Sequence, residues 1–395
     1  MRSSKLFTTF LSIFCILIAE FGSVQSCSID MEEIRNNEPI FLKLNRDFVI
    51  PNGKIISLKN GERILIDCGQ GRTLKNSNFN NKQQIEAVCN GGTVTYGGQS
   101  FEQQPNLNCT DNNSIVRIER TLELCGGDGR IFRIGFHVMN NVGTQMLAPV
   151  LEVCFDEGKK SIFYVKSHIY GTVNRNEADD YVDPNINNGH FTTGESVKPE
   201  FFGVTNLQGS YKGFDRGHYA PNSDYQFAPH RRSTFFYFNM GPMAASFNRG
   251  KWKTIENLAR RNARGVTADI LTGGFYYDPS SKSSKNPSLQ SKDGKLDLLN
   301  NNNDLVNDQR RTFDGAGTRE LESIVIPNFF WKIVKIGLNK IAYVMPTVDN
   351  LELPAECMQY CTVNNQRHRY YECNVAGFKS CTNIIKGNFV WPADF

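Results

Sequence analysis

Residues 214 to 264 read FDRGHYAPNSDYQFAPHRRSTFFYFNMGPMAASFNRGKWKTIENLARRNAR, and the fold of the chain turns on this stretch. It opens with Asp215-Arg216-Gly217-His218, one candidate proton acceptor beside a cation and a glycine that lets the backbone approach a ligand. Its end has helical period. Asn248, Trp252, Glu256 and Arg260 stand four apart, so a helix starting near Asn248 sets them on one ridge. Trp252, Ile255, Leu258 and Ala259 make an apolar stripe that anchors the ridge to a core, and Gly265 ends the helix as a glycine just past a C-terminus does. Between 249 and 264, six basic residues (Arg249, Lys251, Lys253, Arg260, Arg261 and Arg264) accompany a single acid, Glu256, which calls for an anionic ligand.

The rest of the 395 residues frame that stretch. A net charge of +4 says little at this length, and 39% apolar content suffices for one large or two modest domains. Arg2 and Lys5 precede an apolar run from Leu6 to Ile18, and Val24-Gln25-Ser26 supplies a cleavage site before Cys27. That is a signal peptide over 1–26 and a secreted chain, and no later segment is long and apolar enough to span a membrane. Cys15 lies in the leader. The other ten cysteines fall into a group of six (27, 68, 89, 109, 125 and 154) and a group of four (357, 361, 373 and 381). Each group is even and is expected to close on itself in an oxidising compartment, with zinc as the alternative for the last four. Asn108 and Asn112 begin two closely spaced N-glycosylation sequons.

From Cys27 to about 155, short β-rich segments (48–50, 55–56, 63–66, 92–96 and 115–118) separated by Gly and Asn clusters predict a disulfide-rich β domain. A second domain is expected over 156–395. It begins with a strand at 161–165 and a polar loop whose Glu177, Asp179, Asp180 and Asp183 are either a solvated acidic face or a calcium site. After the helix come a strand at 270–275, an insertion-like polar loop over 278–309, strands near 324–326, 329–334 and 341–344, and the cysteine-rich tail.

Phosphodiester hydrolysis needs an activated water, charge neutralisation on the phosphoryl oxygens and a stabilised leaving alkoxide. His218 suits a general base, because an ordinary imidazole titrates at about 6.5. Such help is worth on the order of 10² to 10⁴ in rate. Enzymic accelerations demand about 8 to 23 kcal/mol, so a metal is expected as well. Asn248 offers a hard amide oxygen for Mg²⁺ or Mn²⁺, Glu256 a carboxylate to hold the ion's waters, and Arg216 and Arg260 bidentate phosphate contacts. Asn248 is equally a plausible helix N-cap, and Glu256 and Arg260 an ordinary i, i+4 ion pair. The other five histidines (137, 168, 190, 230 and 368) lack metal-ligand spacing and are read as structural.

The run Asp215-Arg216-Gly217-His218, with Ala220-Pro221, Asp224, the segment 233–239, Pro242, Asn248-Arg249-Gly250-Lys251-Trp252, Glu256 and Arg260, closely resembles the DNA/RNA non-specific endonuclease family over about fifty residues without gaps. Ile326-Pro327 through Trp331-Lys332 looks like a later strand of the same domain, and the N-terminal cysteine-rich region is similar to the one insect members carry. The resemblance implies an α+β, ββα-metal fold with a central antiparallel sheet, a single Mg²⁺ held by one asparagine and waters, and cleavage that leaves a 5′-phosphate. It makes His218 the base, Asn248 the metal ligand, Glu256 the water-orienting carboxylate, Arg216 and Arg260 the phosphate contacts, and Asn239 and Asp215 supporting residues. DNA and RNA would be held by the phosphate backbone through Lys198, Arg249, Lys251, Lys253, Arg261 and Arg264.

The chain departs from the family pattern at three positions: Met243 follows Pro242 where glutamine is common, Phe235 stands where some members have a second asparagine, and Lys198 replaces an arginine of insect members. These departures leave the base and the metal ligand in place. They support an alternative in which a secreted nucleic-acid-binding protein keeps the scaffold with weak residual nuclease activity.

Overall fold

The computed structural model describes residues 25–31, 38–53, 55–75, 79, 81–101, 107–110, 116–156, 161–171, 214–225, 227–275, 298–299, 305–306, 327–348, 350–364, 368–386 and 390–395. The acidic loop, Lys198, Asn112, residues 324–326, most of 278–309 and nearly all of the leader lie outside them.

Two compact units are present, one over 1–113 with 141–143 and one over 114–140 with 144–395. The first carries strands β1 (Cys27–Asp30), β2 (Ile40–Lys43), β3 (Ile55–Leu58), β4 (Arg63–Asp67), β5 (Gln84–Asn90), β6 (Thr93–Tyr96) and β7 (Gln99–Ser100). β1 pairs with β3, and the others form a sheet in the order β2-β4-β5-β6-β7. Alternation of buried and half-buried residues along β5 gives this sheet one covered face. The strand expected at 48–50 is reduced to a bridge between Leu42 and Phe48. Cys27–Cys89 and Cys68–Cys109 close this unit on itself.

The second unit is built on nine antiparallel strands. β8 (Val116–Gly126), β9 (Gly129–Met139), β10 (Gln145–Asp156) and β11 (Ser161–Ile169) run as hairpins, and β12 (Phe214–His218) pairs with β13 (Met240–Ala244) as a separate hairpin. β14 (Ala268–Phe275) follows, then a short pair, β15 (Leu298–Leu299) and β16 (Leu305–Val306), and then β17 (Phe329–Ile336), β18 (Asn339–Pro346), β19 (Cys361–Asn364) and β20 (Tyr370–Cys373). The large sheet has the order β19-β20-β18-β17-β14-β11-β10-β9-β8.

The boundary expected at 155/156 is therefore corrected to 113/114, because β8, β9 and β10 belong to the large sheet. Phe238, just before β13, stacks on Phe132 of β9 at 4.5 Å and meets Phe155 of β10 edge-on at 5.0 Å. Those strands resemble the N-terminal ones in composition, so their aromatic contacts, rather than any compositional shift, assign them to the second unit.

β17 is buried along its first six residues, and its two faces do different work. Side chains alternate along a strand, so Phe329, Trp331 and Ile333 share one face and Phe330, Lys332 and Val334 the other. Trp331 packs against Phe378 of the C-terminal helix at 6.0 Å, in a cluster with Cys357, Cys373 and Cys381. Phe330 meets Phe247 at 5.4 Å and Trp252 at 5.7 Å, residues of the segment that follows β13. A ββα element thus covers one face of the sheet and the disulfide-bonded tail the other. Cys125–Cys154, Cys357–Cys381 and Cys361–Cys373 all lie in this unit, which removes the zinc alternative for the last four cysteines.

Candidate active site

His218 ends β12, and the chain beyond it is held by Asn239. The Asn239 side chain is fully buried and its hydrogen-bonding capacity is well used: Oδ1 accepts from the Ala220 N–H at 2.9 Å, and Nδ2 donates to Ala220 O at 2.8 Å and Thr234 O at 2.9 Å. The Tyr219 N–H donates to Asn239 O at 2.9 Å. Three short polar contacts from one amide fix the turn that follows the histidine.

The imidazole sits edge-on to Phe235 with ring centroids 5.2 Å apart. Its Nε2 is buried and has no hydrogen-bond partner among the described residues. Burial, reinforced by the nearby Arg216 guanidinium, lowers its pKa to about 4, so the ring is neutral near pH 7. Gly217 is required one residue earlier, because a Cβ there would collide with the buried side chain of Met243 on the paired strand.

Asp215, also on β12, ties the hairpin to the helical segment. Asn248 Nδ2 donates to its Oδ2 at 3.0 Å, and Arg249 donates from Nε to Oδ2 at 2.8 Å and from Nη2 to Oδ1 at 2.6 Å. Partial burial pushes the Asp215 carboxyl upward, but the hydrogen bonds from Arg249 and Asn248 outweigh it and the net shift is downward. With its NH₂ group on Asp215, the Asn248 amide keeps Oδ1 as its remaining polar group. Arg249, expected on nucleic acid, has its guanidinium fork on Asp215 although its side chain is 74% exposed.

The helix differs from the expected single ridge. Phe247–Trp252 is a turn of π-helix, and the α-helix α2, the second after α1 (Ala228–Ser233), spans Lys253–Asn262. A π turn is a rare interruption that often marks functional sites, and here it carries both Asn248 and Arg249. The buried stripe is Trp252, Ile255, Ala259 and Ala263; Leu258 is only half-buried. Gly265, at φ +77°, ends the segment as expected, with its N–H donating to Gly171 O at 2.9 Å.

Arg260 is held within the protein. Its side chain is 9% exposed, and its Nη1 donates to Asp224 Oδ1 at 2.7 Å and Ser223 Oγ at 2.8 Å, while Nη2 reaches Asn257 Oδ1 at 2.8 Å. Glu256 Oε2 lies 3.9 Å from Arg260. Burial raises the Glu256 pKa, against the lowering influence of Arg260. Arg260 is thus bound into the protein, whereas Lys253, Arg261 and Arg264 are exposed and Lys251 and Arg216 are half-buried.

Two residues that sequence reasoning left without a role enter this cluster. Asp224 is buried beneath Arg260, and Lys332 of β17 is fully buried, with Nζ 2.8 Å from Thr272 Oγ1 and 3.3 Å from Tyr219 O. A lysine inside the apolar run Phe329 to Val334 was the available signal. Of the other histidines, His137 pairs with Glu119 at 2.6 Å and His168 with Asp269 at 3.0 Å, while His230 is stacked on Phe136. Among the described residues, no three of His, Cys, Asp and Glu stand together as a metal cluster.

A profile of the DNA/RNA non-specific endonuclease family matches residues 128–384, more than half of the chain and all of this arrangement. The chain belongs to that family. It is similar to a salivary endonuclease of Lutzomyia longipalpis, 25% identical over 66% of this chain and 64% of the relative. A mitochondrial endonuclease G of Caenorhabditis elegans is 32% identical over 33% of this chain and 42% of its own length. The chain therefore spans less than two thirds of either relative. A solved EndoG/EndoGI complex is 19% identical, with a TM-score of 0.33 over 54% of this chain and 81% of the matched one.

Proposed function

We propose that this chain is a secreted, divalent-metal-dependent endonuclease that hydrolyses phosphodiester bonds of DNA and RNA, double-stranded substrates included, without regard to the sugar. The observation that carries the reading is the His218 side chain, neutral near pH 7, with a buried and unpartnered Nε2 at the end of a strand braced on both sides. A neutral imidazole has one ring nitrogen with a lone pair for the proton of an attacking water. Asn239 fixes the turn behind it, and Phe235 limits the tilt of the ring.

Asn248 fits a hard cation, because Asp215 takes its NH₂ group and leaves the amide oxygen as donor. Mg²⁺ or Mn²⁺ would be held there by Oδ1 and its own waters, and would supply Lewis-acid stabilisation of the phosphoryl charge. Glu256 serves as the carboxylate that orients water. Arg216 is the phosphate contact, and Arg260 acts by holding Glu256 and Asp224. Exposed Lys253, Arg261 and Arg264, with Lys251, form the backbone-binding surface, which reads phosphate rather than bases. Secretion is supported by the leader, by five disulfides and by the salivary relative, and glycosylation at Asn108 or Asn112 accords with it.

Turnover of plasmid DNA and long double-stranded RNA, with Mg²⁺ and with chelator, tests this beside gel-shift titration of wild type and His218→Ala. Cleavage that depends on the metal and is lost in the variant, with binding retained, is the expected result. Tight, salt-sensitive binding by both proteins with negligible wild-type cleavage would replace the enzyme by a nucleic-acid binder.

A further inference from the structure

The water-orienting carboxylate belongs to a group of four charges with little exposure to solvent. Asp224 and Glu256 are acidic, Arg260 and Lys332 basic, and the formal charges cancel. Arg260 bonds Asp224 at 2.7 Å and lies 3.9 Å from Glu256. Lys332 enters from the sheet below, with its ammonium 5.9 Å from the Trp252 ring centre and on hydrogen bonds to Thr272 Oγ1 and Tyr219 O. Tyr219 is the residue after His218. A lysine so deeply buried is costly unless paired, and its hydrogen-bond partners here are neutral oxygens. Its counter-charges are Asp224 and Glu256, which both favour its charged form against the burial that disfavours it. The groups facing it complete the account: Thr272 and Tyr343 flank it on β14 and β18, with the Tyr343 hydroxyl 2.7 Å from Asn262, and Lys253 adds its charge to the Glu256 side.

We propose that Lys332 is a positioning residue of the active site, which ties the backbone after His218 to the central sheet and, with Arg260, balances the charge of Asp224 and Glu256. The proposal rests on the functional reading above for its catalytic consequence, but its electrostatic half stands without it. If Lys332 is removed, two carboxylates share one guanidinium, and the site is left with an uncompensated negative charge.

Lys332→Met, Asp224→Asn and the double variant test this by thermal unfolding across pH and by kinetics. Lys332→Met leaves an unbalanced negative charge at neutral pH, so its deficit in Tm against wild type is largest near pH 7 and shrinks toward about pH 4.5, where carboxylates protonate. Adding Asp224→Asn removes that charge and restores part of the lost Tm at pH 7. Should Lys332→Met fail to fold at neutral pH, the double variant decides: recovery of a folded protein supports the charge balance, and failure overturns it. In turnover, Lys332→Met lowers kcat by about 10- to 100-fold with KM within about threefold, and the acid limb moves to higher pH as Glu256 holds its proton longer. A Tm deficit that is the same at every pH, with no recovery in the double variant, would reduce Lys332 to simple packing and sink the proposal. Wild-type protein that cleaves nothing would refute the nuclease reading instead, and the unfolding comparison would still decide the role of Lys332.

Discussion

At the scale of single residues, the site depends on which polar atoms remain available. His218 is kept neutral by burial and by Arg216, and the sign of its linkage follows. Its folded pKa of about 4 lies below the unfolded value near 6.5, so on acidification the unfolded chain takes up a proton that the folded one resists. Stability from this group is full above the unfolded pKa and falls as pH drops toward 4. The same shift predicts that kcat/KM, measured in Mg²⁺ on a short duplex, shows no acid limb near 6.5 and falls only at lower pH, where Glu256 and then His218 take up protons. A limb near 6.5 would mean the ring is hydrated in the working enzyme. Gly217→Ala drives a methyl into Met243 and should cost about 1–3 kcal/mol in urea unfolding, with Met243→Ala recovering part of the loss. The candidate base, amide and carboxylate were legible because their spacing carries them. The carboxylate partners of Arg249 and Arg260 were not foreseen because a sequence shows charge and not its partner: one fork grips Asp215, and the other reaches Asp224. Lys332 and Asp224 were missed because their importance lies in an electrostatic interaction between residues 108 positions apart, brought near each other only by the fold.

At the scale of elements, the hairpin of β12 and β13 and the helical segment after it are locked by two side chains, Asn239 within the hairpin and Asp215 between hairpin and helix. The hairpin and helix were foreseeable from the stretch 214–264; the π turn was not, since its sequence satisfies an α-helical period equally well. Asn239→Ala leaves the Ala220 N–H and the Ala220 and Thr234 carbonyls without their partner. Each buried group so stranded costs about 1–3 kcal/mol, so the variant should lose several degrees in Tm and most of its turnover together. Coupled loss is the signature of a brace. A variant with wild-type Tm and no activity would instead make Asn239 a direct participant in chemistry.

At the scale of the whole molecule, the five disulfides respect the division of the chain. Cys27–Cys89 and Cys68–Cys109 lie in the first unit, the other three bridges lie in the second, and none crosses position 113. The even grouping of cysteines was legible in the sequence; the position of the cut was not, because β8 to β10 carry the same alternating pattern as the strands before them. Every candidate catalytic residue, the whole nine-stranded sheet and both layers that cover it belong to the second unit. A compact unit with its own core and closed disulfides folds alone as a rule. A chain starting at Ser114, produced in an oxidising compartment, is therefore expected to form its three disulfides and to cleave plasmid DNA within about tenfold of the full chain. Starting the chain at 156 instead removes β8, β9 and β10, with the Phe132 and Phe155 rings that hold Phe238, and should give no soluble, cooperative protein. If the shorter chain were the active one, Phe238 would not need those strands, and the boundary drawn from the sheet would be wrong.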